Sequence, residues 1–264
     1  MGCMDLVSKK IMVHVPFGEL HRRYLPLICE RKLPPEISFD VYSLSNFSER
    51  DFRYVADKLG EAGLSVTFHA PFMDLRPGAV DPAIRQASVR RIEEVLSLVP
   101  LYRPLGIVCH PSFDRRYYVS TDELWLQNSI ETWTYLSRRA EELGTVIALE
   151  NVYEDEPLIL ARLLSAVNST TCRFCFDTGH FNVFSRAKLE EWIEMLGDYL
   201  FEVHLHDNQG MADEHRHIGA GTFPFTDFFA LLRKKGLHPL LTLEAHREDE
   251  LWKSLTNLSE KMGA

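Results

Sequence analysis

The sequence lacks long hydrophobic runs and has few cysteines. No apolar stretch approaches the roughly 20 residues that a membrane helix needs, and the opening segment MGCMDLVSKK contains no apolar signal core. We therefore expect no membrane span, no secretory leader and a cytoplasmic location. The five cysteines are scattered and odd in number, which argues against a disulfide framework. Cys172 and Cys175 form a lone CxxC pair, but the apolar residues beside Cys175 favour burial in a strand over redox or zinc chemistry.

Basic residues are also in the minority. Lys and Arg number 29 against 38 Asp and Glu, so the formal net charge is −9. This acidic balance disfavours general binding to nucleic acid. With 264 residues, of which 45% are hydrophobic and 25% charged, the chain can bury a core without help from disulfides or structural metal. No linker rich in Pro, Gly or Ser divides it, so we predict a single domain over residues 1–264.

Short β-branched or apolar runs alternate with helical patterns along the chain. Eight runs have the character of buried parallel strands, at residues 11–15, 36–41, 65–69, 106–110, 146–150, 173–177, 201–206 and 240–244. Capping signals predict helices at 48–63, 81–99 and 121–144, with weaker patterns at 20–32, 157–167, 187–198, 225–235 and 247–262. The G-x-G-x-x-G turn of a Rossmann fold is missing. We therefore predict an α/β protein that forms a single (β/α)₈ TIM barrel.

Six consecutive predicted strands end in side chains that can ligate a metal. These residues are His69, His110, Glu150, Asp177, His204 and Glu244. The carboxyl ends of barrel strands meet at the mouth where active sites form. Buried carboxylates would repel one another there unless a cation lay between them. Because nitrogen and oxygen donors occur without thiolates, the set suits Zn²⁺, Mn²⁺, Fe²⁺ or Co²⁺ better than Ca²⁺ or Mg²⁺.

At these residues the chain resembles the xylose isomerase-like TIM barrels. That superfamily includes sugar and sugar-phosphate isomerases and epimerases, as well as the endonuclease IV type of apurinic/apyrimidinic endonuclease. The shared motifs are His-Ala-Pro, Glu-Asn, Asp-Thr-Gly-His, His-Leu-His-Asp, Asp-Glu-His and Thr-Leu-Glu. The resemblance implies a divalent-metal-dependent isomerase or epimerase that transfers protons through a metal-stabilised enediolate. The alternative that it implies is a phosphoester hydrolase with several metal ions.

For the isomerase and epimerase branch, the resemblance implies one catalytic ion held by Glu150, Asp177, His204 and Glu244. The two glutamates would also act as the acid/base pair on either side of the sugar. His206 alternates with His204 along the strand, so we predict that only one of the two points inward. We assign His204 as the ligand, following the resemblance, and leave His206 as a supporting or core residue.

The resemblance also implies substrate contacts. His180 matches a substrate-binding histidine, and Glu156 matches a substrate-binding glutamate, for which Glu154 is a competing match. Gly210 stands where this branch carries an arginine beyond the histidine of strand seven.

Three arginines follow predicted active-site strands. Arg115 lies among aromatic residues after the fourth strand, and Arg216 and Arg247 follow the seventh and eighth. Each could bind a substrate phosphate, or could lie in a solvated loop.

For the endonuclease branch, the resemblance implies nine ligands around three zinc ions. All nine ligand types are present. The first group is His69, His110 and Glu150; the second is Glu150, Asp177, His204 and Glu244; and the third is His180, Asp213 and His215. The two branches together imply one to three ions per chain. Three acidic residues at 154–156 and short predicted loops disfavour a DNA substrate. We therefore expect a small carbohydrate substrate, with or without a phosphate, and leave the oligomeric state open.

Overall fold

Eight parallel strands close into a barrel in the computed structural model, which describes residues 11–263. Each strand pairs with the next in sequence order, and β1 pairs with β8. The predicted (β/α)₈ barrel is therefore confirmed. The expectation about a leader concerns residues 1–10, which lie outside the described range. The strands are β1 (Ile11–Pro16), β2 (Pro35–Ser38), β3 (Thr67–His69), β4 (Ile107–Cys109), β5 (Ile147–Glu150), β6 (Cys172–Asp177), β7 (Leu200–Leu205) and β8 (Leu240–Leu243).

Helices surround the barrel and begin at the predicted caps. The Ser48 N–H donates to Asp51 Oδ2 at 2.9 Å, and the Asp81 carboxylate accepts from the Ala83 N–H at 2.7 Å. Among the described residues, no helix is both long and apolar enough to cross a membrane. The helical segments are Phe17–Glu19, Leu20–Tyr24, Leu25–Arg31, Val41–Asn46, Glu49–Glu61, Pro82–Leu96, Val99–Tyr102, Asp122–Leu143, Leu158–Val167, Thr178–Phe184, Leu189–Leu196, Gly197–Tyr199, Phe225–Lys235 and Glu248–Gly263.

The structure corrects three details of the predicted elements. Strand β2 ends at Ser38 rather than at residue 41, because the Asp40 carboxylate accepts the Ser43 N–H at 2.6 Å and starts a helix. The predicted helix 81–99 is divided into two helices, Pro82–Leu96 and Val99–Tyr102. The expectation of short loops is wrong for residues 206–224, which separate β7 from the next helix.

Polarity changes along the inside of the barrel. Val108, Ala148 and Cys175 pack together there and are almost completely buried. Cys172 and Cys175 are buried free thiols, as predicted. Side chains two residues apart on a strand share a face. The next inward positions on the same three strands are therefore His110, Glu150 and Asp177.

A substitution at Gly106 tests how closely the chain packs at the start of β4. A Cβ on Gly106 would overlap the Phe201 ring. We expect Gly106→Ala to lower the free energy of unfolding by about 1–3 kcal/mol, because ring and strand must separate. Gly60, with nothing within 4 Å of its Cβ position, is the control, and Gly60→Ala should add about 0.5–1 kcal/mol. Urea unfolding measures both changes, and an unaltered Gly106→Ala protein would contradict the packing.

Candidate metal centre

The nine predicted ligands lie on the strand ends and on two segments beyond them. The helix Thr178–Phe184 begins at Asp177, whose Oδ1 accepts the His180 N–H at 2.6 Å. This bond fixes His180 beside the strand end. Residues 206–224 carry Asp213 and His215, and the Asp207 carboxylate anchors this loop by accepting N–H groups of Gly219, Gly221 and Phe223.

The first predicted group meets at one oxygen atom. His69 Nε2 lies 3.2 Å and His110 Nε2 lies 3.1 Å from Glu150 Oε2. The ring of Phe72 stacks on His110, with 4.4 Å between centroids. Two imidazoles from neighbouring strands therefore share one carboxylate oxygen.

The second group meets around His204. Its Nδ1 lies 3.6 Å from Glu150 Oε1, 3.9 Å from Asp177 Oδ2 and 3.2 Å from Glu244 Oε1. This Nδ1 is fully buried and has no hydrogen-bond partner among the described residues. His204 Nε2 contacts Glu36 Oε2 at 3.2 Å. If Nε2 carries the proton, Nδ1 presents its lone pair to the three carboxylates, as metal-binding histidines do.

The third group meets at Asp213. His180 Nε2 lies 3.3 Å and His215 Nε2 lies 3.0 Å from Asp213 Oδ2. His215 has a φ of +49°, which is uncommon for a residue other than glycine and often marks a functional constraint.

Both histidines of β7 and its extension point into the barrel, so the prediction that only one does is wrong. Residues two apart share a face of a strand. His206 is fully buried, and its Nε2 lies 3.0 Å from both carboxylate oxygens of Asp177. A Cβ on Gly179 would overlap the His206 ring. The glycine of Asp-Thr-Gly-His therefore leaves room for His206, a connection that the sequence analysis missed.

Two further glutamates, which were not predicted from the sequence, lie inside the barrel. Glu36 and Glu202 are both 0% exposed. Glu202 accepts hydrogen bonds from the hydroxyls of Thr67 and Thr242. Burial, together with the charge of Glu36, raises the pKa of Glu202. A charged residue at an inward position of an apolar strand was the signal that could have revealed both.

Histidines determine the charge of the buried carboxylates. Burial opposes the ionisation of Glu150, but electrostatic interactions with His110 and His204 hold its pKa well below its usual range. Burial would lower the pKa of His69, yet its hydrogen bond to Glu150 raises that pKa to about 9. In the same way, the hydrogen bond to Asp213 overcomes burial and raises the pKa of His215 to about 9.

The donor set fits divalent cations. Buried imidazole nitrogens and carboxylate oxygens converge, and within residues 11–263 the buried atoms His204 Nδ1 and His206 Nδ1 have no hydrogen-bond partner. In each group the imidazole nitrogens lie 3.0–3.9 Å from carboxylate oxygens of the same group, which is the spacing expected between ligands of an ion with bonds of about 2.0–2.2 Å.

The two candidate glutamates of the β5 loop have different positions. Glu156 points outward and forms an ion pair with Arg115. Glu154 is 3% exposed, and its Oε2 accepts the Val152 N–H at 2.7 Å. Burial raises the pKa of Glu154 to about 7, and it lies within electrostatic range of His180. Geometry therefore favours Glu154 over Glu156 as the glutamate of this loop nearest the ligand groups.

The three predicted phosphate-binding arginines are all ion-paired. Arg115 pairs with Glu156, and Arg216 Nη2 lies 2.5 Å from Glu214 Oε1. Arg247 donates two hydrogen bonds to Asp249, both 2.9 Å long. These ion pairs do not connect any of the three arginines to the nine predicted ligands.

The chain belongs to the xylose isomerase-like TIM barrel family, whose profile matches residues 33–262. The predicted family resemblance is therefore confirmed. The chain is similar to the uncharacterised protein MJ1311 of Methanocaldococcus jannaschii, with 25% identity across 97% of this chain and 92% of that protein.

Solved structures share the fold. The TTHB071 protein from Thermus thermophilus, studied after soaking with ZnCl₂, has a TM-score of 0.81 and 26% identity across 96% of this chain and 98% of its own. A D-tagatose 3-epimerase-like protein has a TM-score of 0.81 and 23% identity across 96% of this chain and 97% of its own.

Protonated histidines make the stability of the metal-free protein depend on pH. His69 and His215 have raised pKa values of about 9, against about 6.5 in an unfolded chain. The folded state therefore holds protons that the unfolded state releases between these values. We expect the Tm of EDTA-treated protein to fall as pH rises from about 6.5 to about 9.

Bound Zn²⁺ should weaken or reverse this trend, because the ion binds neutral imidazole and its affinity increases with pH. Circular dichroism melting curves across this interval, with and without Zn²⁺, measure both effects. A metal-free Tm that increases with pH would contradict the protonated cluster.

Proposed function

We propose that the protein is a divalent-metal-dependent isomerase or epimerase of a sugar or sugar phosphate. The observation that carries this proposal is the convergence of three carboxylates on His204 Nδ1, within 3.9 Å. Family membership supports it, as does the similarity in fold to a D-tagatose 3-epimerase-like protein. The donor chemistry favours Zn²⁺, Mn²⁺, Fe²⁺ or Co²⁺ as the ion.

Glu150 and Glu244 are suited to move protons on opposite sides of a substrate. They stand at the ends of β5 and β8, and both face His204. Burial opposes their ionisation, but neighbouring histidines keep both pKa values low. Both carboxylates are therefore ionised and have a site that can accept a proton. A divalent cation held by Glu150, Asp177, His204 and Glu244 would supply positive charge beside the carbonyl and hydroxyl oxygens of the sugar.

One carboxylate then removes the proton from the carbon beside the carbonyl group. Return of a proton to the opposite face of that carbon gives an epimer, and return to the neighbouring carbon gives an isomer. Glu150 is held in place for this role because its two oxygens contact four imidazoles. These belong to His69, His110, His180 and His204.

A phosphoester hydrolase is the second candidate function. The observation that favours it is that all three ligand groups are assembled and linked. Glu150 belongs to the first and second groups, and His180 Nδ1 lies 3.4 Å from Asp177 Oδ1, between the second and third. Short predicted loops disfavoured a DNA substrate, but the loop 206–224 is long, so this objection to a hydrolase no longer applies.

Solvent hydrogen exchange separates the two candidates. Protein loaded with Mn²⁺, Co²⁺ or Zn²⁺ is incubated with ketohexoses and their phosphates in D₂O. An isomerase or epimerase should place deuterium on the carbon beside the carbonyl group, which NMR and mass spectrometry detect. Cleavage of a duplex with an abasic site, without any such exchange, would establish the hydrolase instead.

Glutamine substitutions test the acid/base pair. Glu150→Gln and Glu244→Gln preserve shape and one oxygen donor but remove the base. We expect each to keep its fold and to lose about 10²–10⁴-fold in turnover. Glu150→Gln should also bind fewer ions by elemental analysis, because Glu150 serves two groups. Glu142→Gln, on the exposed face of the helix Asp122–Leu143, is the matched control.

Circular dichroism would confirm that each variant is folded before its rate is compared. Normal turnover in Glu244→Gln would contradict a mechanism with two carboxylate bases. It would leave open a hydrolytic role for Glu150.

A further inference from the structure

A groove of about 580 Å³ opens beside the metal centre, between the ends of β1 and β8. His14 and His246 are among the residues that line it. Its outer wall comes from the first helical segments of the chain and from the helix Glu248–Gly263. The volume lies in the range of pockets that bind small molecules, about 300–1,000 Å³.

The groove is continuous with the ligand groups. The ring of His246 stacks on His215 with 3.9 Å between centroids. Phe72 also lines the groove, and its ring stacks on His110 at 4.4 Å. A sugar placed against the predicted ligands would therefore have this groove directly beside it.

The outer part of the groove is apolar and partly aromatic. Tyr24, Leu27, Leu251 and Trp252 line it. Trp252 is 36% exposed and Phe72 is 41% exposed. Large apolar side chains that line an open pocket beside polar groups are typical of a binding site for an apolar ligand group.

The charges in the groove disfavour an anionic ligand. Its lining includes two guanidinium groups against three carboxylates, those of Glu19, Asp40 and Glu248. Arg23 Nη2 lies 3.5 Å from Glu248 Oε2, and Arg247 is hydrogen-bonded to Asp249. The excess of carboxylates means that a phosphate would meet net negative charge.

We propose that this groove binds an uncharged apolar group, such as an aromatic ring, that is attached to the sugar. The substrate class is then a keto sugar that carries an apolar aglycone, rather than a free or phosphorylated monosaccharide. The keto group lies on the sugar ring, because the acetal carbon that bears the aglycone offers no carbonyl group for the proton transfer. This assignment rests on the proposed function, which places the sugar at the metal centre. The aromatic rings of Tyr24 and Trp252 would pack against the aglycone, a contact that contributes beyond the burial of area alone.

Binding of matched glycosides tests the proposal. Phenyl β-D-glucoside and methyl β-D-glucoside are titrated into Mn²⁺-loaded protein by calorimetry. We expect phenyl glucoside to bind about tenfold more tightly or better, since packing and burial of the ring add to the affinity. Trp252→Ala and Tyr24→Ala should each reduce this preference at least severalfold. Tyr135→Ala is the control, because Tyr135 is 43% exposed on a different helix outside the groove.

Tryptophan fluorescence gives an independent measurement. Trp125, Trp133 and Trp192 are 0% exposed, so acrylamide should quench mainly Trp252. Phenyl glucoside should protect Trp252 from quenching, and methyl glucoside should protect it less.

The outcomes separate the groove from the proposed function. Equal affinity for the two glucosides would overturn the groove assignment, as would tighter binding of glucose 6-phosphate that is lost in Arg23→Ala. Deuterium exchange into sugars without a phenyl preference would support the proposed function but reject the aglycone site. A phenyl preference that depends on Trp252, without exchange into any sugar, would support the groove but reject the isomerase function.

Discussion

Buried negative charge without buried lysine or arginine is the constraint on which the centre of this barrel depends. Within residues 11–263, five carboxylates that face the barrel interior are at most 7% exposed, while no Lys or Arg is buried. These are Glu36, Glu150, Asp177, Glu202 and Glu244. An unpaired buried carboxylate is costly. The raised pKa of Glu202, which results from burial, offsets this cost at one position, and histidines or divalent cations must balance the charge of the others. The same imidazoles that carry protons in the metal-free protein are therefore the natural ligands of a metal.

Stacked imidazoles connect the ligand groups with the neighbouring groove. His206 stacks on His215, and His215 stacks on His246, each pair with 3.9 Å between centroids. Gly179 makes room for the first ring. His215 holds the middle position with a left-handed backbone, which costs energy for a residue with a Cβ. The surrounding contacts offset this cost and fix the geometry of the third group.

The strand ends could be predicted because two simple rules combine. Apolar runs mark buried parallel strands, and a barrel brings their carboxyl ends together. The same reasoning failed where position depends on three-dimensional contacts. Glu154 turns inward while Glu156 turns outward because the Val152 N–H holds the first and Arg115 pairs with the second. The prediction that only one of His204 and His206 points inward failed for another reason. Residues two apart on a strand share a face, so the sequence alone already placed both on the same face.

The occupancy of the ligand groups bears directly on the choice between the two chemistries. Glu150 Oε1 faces His204, and Glu150 Oε2 faces His69 and His110. With only the second group filled, Glu150 Oε2 would contact the imidazoles of His69 and His110 but no metal ion. With the first group filled as well, Glu150 would be a weaker base, because the positive charge of a second ion would favour its ionised form. A single ion in the second group would therefore favour proton transfer through Glu150, while hydrolysis would be compatible with ions in both groups that Glu150 serves.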